Sequence, residues 1–216
     1  MSGRALYPLF ADLRGRRCAV VGGGAVATEK ARKLAGHGAL LRVVAPEVTG
    51  ELAAILAGED AEHRARAYRA GDLEGCLLAV TATDRAEVNR AVAGEADARG
   101  ILVDVVDDPA AGTFIVPSLV RRGELAVAIS TGGASPVVAA HLRRRVEAAI
   151  GPEWEAVVGA LGELRAELKE RYPAPAERRA AVERLLSDEA LARMAGAGGD
   201  GARALAREVL DLGVPA

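Results

Sequence analysis

The 216-residue chain predicts an α/β fold built on an open, doubly wound parallel sheet with a helical addition, and three observations carry that expectation. Short β-rich runs alternate with helical patterns over about the first hundred residues. The first of those runs meets three glycines and then opens a helix. Half of the residues are hydrophobic but only 3% are aromatic, so the apolar content is mostly Ala, Val and Leu, a mix suited to helices packed closely on a parallel sheet.

The elements follow in order. In RCAVVGGGAVATEKARKLAG, residues 17–36, Cys18 to Val21 reads as a strand. Ala27, Ala31, Leu34 and Ala35 then fall on one face of a helix, and Gly36 and Gly38 stop it. LLRVVAP is a second strand, closed by Pro46, which completes a strand–helix–strand unit of about thirty residues, as a right-handed crossover requires. A polar edge strand is expected at HRARAY (63–68), a buried strand at CLLAVTATD (76–84), a helix through Val88, Val92 and Ala96, and a further strand at ILVDVV (101–106).

After Pro109 the rhythm changes. TFIVPSLVRRGELAVAIS reads as two strands joined by a turn at Arg121, Arg122 and Gly123. STGGASP then leads into a helix with Ser135 at its N-cap, Pro136 at its first position, and Val138, Leu142, Val146 and Ala149 on one face. From Glu153 onward the pattern is helical, with GAGGDGA (196–202) as a loop or joint. The division expected is 1–112 for the dinucleotide-type domain, 113–150 for a central strand and helix segment, and 151–216 for a helical domain.

Charge and composition exclude several classes. With 28 basic and 30 acidic residues, the net charge of −2 gives no global field for nucleic acid or an anionic membrane. Cys18 and Cys76 lie in separate apolar runs and His37, His63 and His141 show no metal spacing, so neither a disulfide framework nor a metal site is expected. MSGRALYPLF holds no long apolar stretch, so no signal peptide or membrane span is expected and the protein is placed in the cytoplasm.

Gly22, Gly24 and Ala27 spell GxGxxA between strand and helix. The first glycine permits a tight turn, the second lets the backbone approach a pyrophosphate, and Ala27 keeps the helix close to the sheet. Ala25 and Val26, at the helix start, join Gly22 and Gly24 as expected contacts of the cofactor NAD. The acid that would hold the ribose hydroxyls is displaced past Pro46 to Glu47, which reads equally well as an acid at a helix N-terminus. Beyond Arg42 no arginine stands ready for a 2′-phosphate. Thr81 and Thr83, at the end of the TATD strand, are expected at the nicotinamide ribose, with Thr83 or Asp84 also capping the next helix.

The motifs YPLFADLRGRRCAVVGGGAVATEKARKL, TATD, DVVDDP, FIVPS and STGGASPV occur in this order. Together they closely resemble the precorrin-2 dehydrogenases of siroheme synthesis, including the dehydrogenase/ferrochelatase half of the fused siroheme synthases, over roughly residues 7–150. The resemblance implies a Rossmann-type sheet and NAD-dependent oxidation of precorrin-2 to sirohydrochlorin. In many members it also implies insertion of Fe²⁺ to give siroheme, with Fe²⁺ as a substrate. It implies a homodimer built through the central segment, and a C-terminal helical domain.

On that resemblance the essential aspartate of the motif NVVDxP falls on Asp107, with Asp104 in place of the usual Asn and Asp108 at a variable position. A carboxylate there accepts the proton that a reduced macrocycle must lose once its hydride has left. Asp108-Pro109 suits a turn. The substrate carries eight carboxylates, which makes Arg121 and Arg143 candidate partners, and the Ser130, Thr131, Gly132 and Ser135 loop could receive a carboxylate at its N–H groups. Two other classes remain in view: an NAD(H)-sensing regulatory module without catalysis, and an oxidoreductase for another small substrate. The sensing module has no use for DVVDDP, FIVPS and STGGASP.

Overall fold

The computed structural model describes residues 6–213, in two compact units that meet in sequence at Val116 and Pro117. The first five residues of the N-terminal stretch read above for a leader lie outside the described residues.

The first unit is a five-stranded, all-parallel sheet. In chain order its elements are β1 (Arg17–Val21), α1 (Ala25–Ala35), β2 (Leu40–Val44), α2 (Gly50–Leu56), β3 (Ala61–Arg64), β4 (Leu78–Thr81), α3 (Ala86–Arg99) and β5 (Leu102–Val105). The strand order is β3-β2-β1-β4-β5. Strands buried on both faces read as continuous apolar runs, and β1, β2 and β4 do so because helices cover both sides. On one face Val20, Leu41 and Val43 pack with Ala27 and Ala31 of α1 and Leu52 of α2. On the other, Ala19, Val21, Val44 and Ala79 pack with Val92 and Ala96 of α3. Each fully buried valine contributes roughly 1.5–3 kcal/mol over an exposed one.

Three differences from the sequence reading concern this unit. The polar edge strand runs over Ala61–Arg64, two residues earlier than its expected start, and ends before Tyr68. Helix α2, implied above only by the alternative reading of Glu47, starts at Gly50 with Thr49 as its N-cap. Ala35, placed on the inner face of α1, is exposed.

No helix joins β3 to β4. Residues 65–77 lie instead against the sheet through a charged network. Arg42, buried in β2, donates to the Asp72 and Glu74 carbonyls at 2.9 Å and to Glu62 at 2.8 Å. Asp72, also buried, takes Arg64 at 2.6 Å and Arg66 at 2.7 Å. Glu95 of α3 accepts from the Tyr68 hydroxyl and from the Gly71 N–H at 2.9 Å.

The second unit opens with an antiparallel pair, β6 (Ser118–Arg122) and β7 (Leu125–Ile129). Its turn is Gly123-Glu124, so Arg121 and Arg122 belong to the strand and not to the turn. Helix α4 (Pro136–Ala149) follows, then α5 (Glu153–Glu163), α6 (Arg165–Arg171), α7 (Pro175–Leu185), α8 (Asp188–Ala195) and α9 (Gly199–Val209). Leu164, Leu185, Met194 and Leu210 are fully buried where the last five helices meet. The glycine-rich joint is shorter than expected, because α9 already begins at Gly199. No residue of α4 is buried, although Val138 and Leu142 share its apolar stripe. Among the described residues, no helix is long and apolar enough to cross a membrane.

Candidate functional site

The parallel register brings four strand ends level. Val21 of β1 lies opposite Val44 of β2 and Thr81 of β4, and Thr81 lies opposite Val105 of β5. The next residues, Ala45, Gly22, Ala82 and Val106, therefore form a row along the carboxyl edge. Backbone hydrogen bonds of 2.9–3.1 Å tie Gly22 to Val44, Ala82 to Val21 and Val106 to Thr81. The order of strands reverses between β1 and β4, so this row borders the crevice in which open α/β sheets bind ligands.

Each glycine of the turn has its own constraint. Gly22 has φ +128°, and a Cβ there would stand 2.4 Å from the Ala82 carbonyl oxygen. At Gly23 a Cβ would stand 1.8 Å from the Glu47 carbonyl oxygen. Around Gly24 a Cβ would meet nothing within 4 Å, and Gly24, Ala25 and Val26 are all exposed. Gly24 is the N-cap of α1 and no acid occupies the first turn. Free N–H donors, the positive end of the helix dipole and open space at the second glycine suit a pyrophosphate.

The sequence reading missed the residues that hold this turn to the next loop. The Thr28 hydroxyl donates to the Gly24 carbonyl at 2.9 Å and lies 2.8 Å from the Thr49 hydroxyl. The Thr49 N–H donates to the Gly23 carbonyl at 3.0 Å, and its hydroxyl caps α2 at Leu52. Pro46 and Glu47 are exposed between these fixed points. Glu47 precedes the α2 N-cap by two residues, and the first-turn acid of α2 is Glu51, so the helix-acid reading of Glu47 fails. Arg42 is buried and fully engaged by Glu62 and by two carbonyls, which removes it as a partner for a 2′-phosphate.

Thr81 and Thr83 converge on Asn89 of α3. Their hydroxyls donate to Asn89 Oδ1 at 2.5 and 2.8 Å, and Asn89 Nδ2 donates back to the Thr83 carbonyl at 3.0 Å. Thr81 is completely buried, so its side chain braces the strand end from behind. Thr83 is half-buried one step beyond the row. The N-cap of α3 is Arg85, without a side-chain cap, rather than Thr83 or Asp84. Asn89 was legible as a polar residue three before Val92 on the buried face of its helix.

The three aspartates of DVVDDP have different surroundings. Asp104 is buried in β5 and its carboxylate pairs with Lys30 Nζ at 2.7 Å. Asp108 accepts from the Ala110 and Ala111 N–H groups at 3.2 and 3.3 Å, closing the turn before Gly112. Asp107 is exposed, one residue past the row, and among the described residues no group hydrogen-bonds or pairs with its carboxylate. At about 4.8 Å per strand, β5 lies roughly 10 Å from β1 and its glycine turn. Burial pushes the Cys18 thiol up to about 11, which makes it an inert core residue. Among the described residues, no three His, Cys, Asp or Glu side chains gather as a metal would require.

The remaining candidates belong to the second unit. Ser135 is the N-cap of α4 and accepts from the Val138 N–H at 3.2 Å. Thr131 Oγ1 bonds both the N–H and the carbonyl of Ser135 at 3.2 Å, and Ser130 Oγ accepts from the Gly132 N–H at 3.0 Å. Arg143 pairs with Glu147, one turn on, at 2.6 Å. Arg121 is exposed on β6. The first unit thus gathers the expected cofactor residues and Asp107 on one sheet edge, while Arg121, the 130–135 loop and Arg143 belong to the second. There Arg121 pairs with Ala126 near the hairpin turn, and the loop leaves β7 at the other end, where Ile129 pairs with Ser118.

Comparison with known proteins adds the family. Residues 9–118 match a family model described as "Putative NAD(P)-binding", and residues 122–149 match one described as "Sirohaem biosynthesis protein central". A siroheme synthase of Chromobacterium violaceum is 46% identical over 167 residues, 77% of this chain and 36% of that protein. A siroheme synthase of Pseudomonas entomophila is 43% identical over 199 residues, 92% of this chain and 43% of that protein. The chain therefore spans about two fifths of the length of these relatives. Among solved structures, SirC, a precorrin-2 dehydrogenase, shares the fold with a TM-score of 0.75 at 24% identity, over 95% of this chain and 100% of that one.

Proposed function

Because the chain belongs to the NAD(P)-binding family matched across residues 9–118, with the sirohaem-biosynthesis central region at 122–149, we propose that it oxidises precorrin-2 to sirohydrochlorin with NAD, in the cytoplasm. The observation that carries this reading is one sheet edge holding two things at once: an open glycine turn at a helix N-terminus, and the exposed carboxylate of Asp107, which has no partner among the described residues. A sensing module needs only the first.

In this reading Gly22, Gly24, Ala25 and Val26 seat the pyrophosphate, and Pro46 and Glu47 flank the adenosine ribose. A carboxylate at Glu47, with Arg42 occupied, favours free ribose hydroxyls over a 2′-phosphate. Thr83 borders the nicotinamide half, with Thr81 behind it. When bound, NAD supplies the hydride acceptor. Asp107 takes the proton released as the macrocycle loses two electrons, so that precorrin-2 and NAD⁺ give sirohydrochlorin, NADH and H⁺. A bound macrocycle that displaces water from this edge would strengthen the interaction of that carboxylate with the developing positive charge.

Substrate carboxylates are assigned to Arg121, Arg143, Ser130, Thr131, Gly132 and Ser135. The division 1–112, 113–150 and 151–216 is part of the same proposal, as is a homodimer through 113–150. Helix α4 supports the homodimer: Val137 is 77% exposed, and Val138 and Leu142 are exposed beside it. Insertion of Fe²⁺, as a second substrate, would use Asp107 again to accept pyrrole protons.

The test is anaerobic. Purified protein, precorrin-2 and NAD should yield NADH and the absorbance of sirohydrochlorin, and added Fe²⁺ should then remove that absorbance faster than a protein-free control. NADH without accelerated metal insertion would restrict the protein to dehydrogenation. No NADH would leave the sensing module.

A further inference from the structure

Asp104 is an acid inside an apolar strand. It is 7% exposed, flanked by Val103 and Val105, and lies beside Val80 of β4. Lys30 reaches it from the second turn of α1 at 2.7 Å, and the two side chains are 17% and 10% exposed. Removing both charges from water costs more than two apolar side chains at the same places would, so packing alone does not account for the pair.

What the pair adds is direction. Apolar contacts allow a helix to slide on a sheet, whereas a hydrogen-bonded ion pair fixes one atom against another. One end of this bond belongs to the helix whose N-terminus faces the pyrophosphate site. The other belongs to the strand that ends in Val106 and Asp107, and Val106 sits in the same cluster as Val80, on the Lys30 side of the sheet. We infer that Lys30 and Asp104 are positioning residues that set the reach from the dinucleotide site to the Asp107 carboxylate. This rests on the dehydrogenase reading above. Neither residue touches substrate, and they act through the backbone of residues 105–107. Misplacing a reacting group by about 1 Å can lower a rate about 100-fold.

The experiment compares the full-length protein with Lys30→Met/Asp104→Leu, which removes both charges and strands neither, and with Asp104→Asn, whose amide oxygen still accepts from Lys30. NADH formation from precorrin-2 gives kcat and KM, calorimetry gives NAD affinity, and thermal unfolding gives Tm. The double variant should keep its Tm and bind NAD within about twofold of the parent, while kcat falls at least about tenfold and KM for precorrin-2 hardly moves. Asp104→Asn should retain kcat within about threefold. Parental kcat in the double variant overturns the inference, and so does a loss of NAD affinity in step with kcat, since the pair would then serve the glycine turn. A tenfold fall in Asp104→Asn with an intact fold overturns it as well, and this arm decides the matter if the double variant does not fold. A parent that forms no NADH defeats the dehydrogenase reading itself, an outcome separate from all of these.

Discussion

Thr28 and Thr49, 21 residues apart, bring their hydroxyls to 2.8 Å and so join the helix that begins at the glycine turn to the loop that carries Glu47. Each hydroxyl has a second duty, Thr28 to the Gly24 carbonyl and Thr49 to the N-terminus of α2. The two walls of the expected adenosine side are thus fixed to each other before any ligand arrives, which lowers the ordering cost of binding.

Thr28→Val removes this link and the bond to Gly24 while keeping the side-chain shape. It should cost about 1–2 kcal/mol of stability by denaturant unfolding and weaken NAD binding several-fold by calorimetry. Thr28→Ser should restore both. Full NAD affinity in Thr28→Val would mean that the two walls are held by other contacts.

Gly23 and Gly24 are neighbours with opposite expectations. Gly23→Ala drives a methyl group into the Glu47 carbonyl, 1.8 Å away, and should destabilise the protein by about 3 kcal/mol or more. Gly24→Asp finds open space, so folding should be unaffected, yet NAD binding should drop sharply as a carboxylate faces the pyrophosphate. Unfolding curves and NAD titrations on the two variants separate these outcomes. Normal stability in Gly23→Ala would show that the loop at Glu47 gives way.

The parallel core and its glycine turn were legible because their signals are local: continuous apolar runs, and glycines where a chain must turn sharply. Ser135-Pro136 was legible for the same reason, and it does cap α4. The long-range partners were not. Lys30 and Asp104 lie 74 residues apart, and only the oddity of an acid in ILVDVV hinted that a cation must meet it. Arg42 looked available because its partners come from the displaced edge strand, Glu62, and from the irregular stretch after it, Asp72 and Glu74, which no periodicity describes. Strand β3 ends at Arg64, whose guanidinium, with that of Arg66 beyond the strand, serves Asp72.

Asp72 is the centre of that stretch, and its titration has a definite sign. Burial alone would raise its carboxyl, but the Arg66 guanidinium, the Arg69 N–H and the Arg64 guanidinium outweigh burial and hold it well below the usual carboxylate range. A depressed carboxyl contributes stability that is complete above its unfolded value, about 3.9, and is lost as pH falls towards the folded one. Stability should therefore decline below about pH 4, and Asp72→Asn should flatten that decline while costing about 2 kcal/mol at neutral pH. Urea unfolding between pH 3 and pH 7 reads both effects. An unchanged acid slope in Asp72→Asn would place the acid sensitivity elsewhere.

Asp107 and Asp108 offer the sharpest contrast, since they are adjacent and both exposed, yet among the described residues only Asp108 is engaged, by the N–H groups of Ala110 and Ala111. Asp108→Ala should loosen the turn by about 1 kcal/mol and leave dehydrogenation near parental. Asp107→Ala leaves every backbone bond of the strand end in place, so folding and NAD affinity should persist while NADH formation falls by roughly 10²–10⁴-fold, the range of a lost proton acceptor. Steady-state rates at saturating NAD, with Tm measured alongside, make the comparison. If Asp107→Ala turned over precorrin-2 at close to the parental rate, the proton would be leaving to water, and Asp107 would have no chemical role.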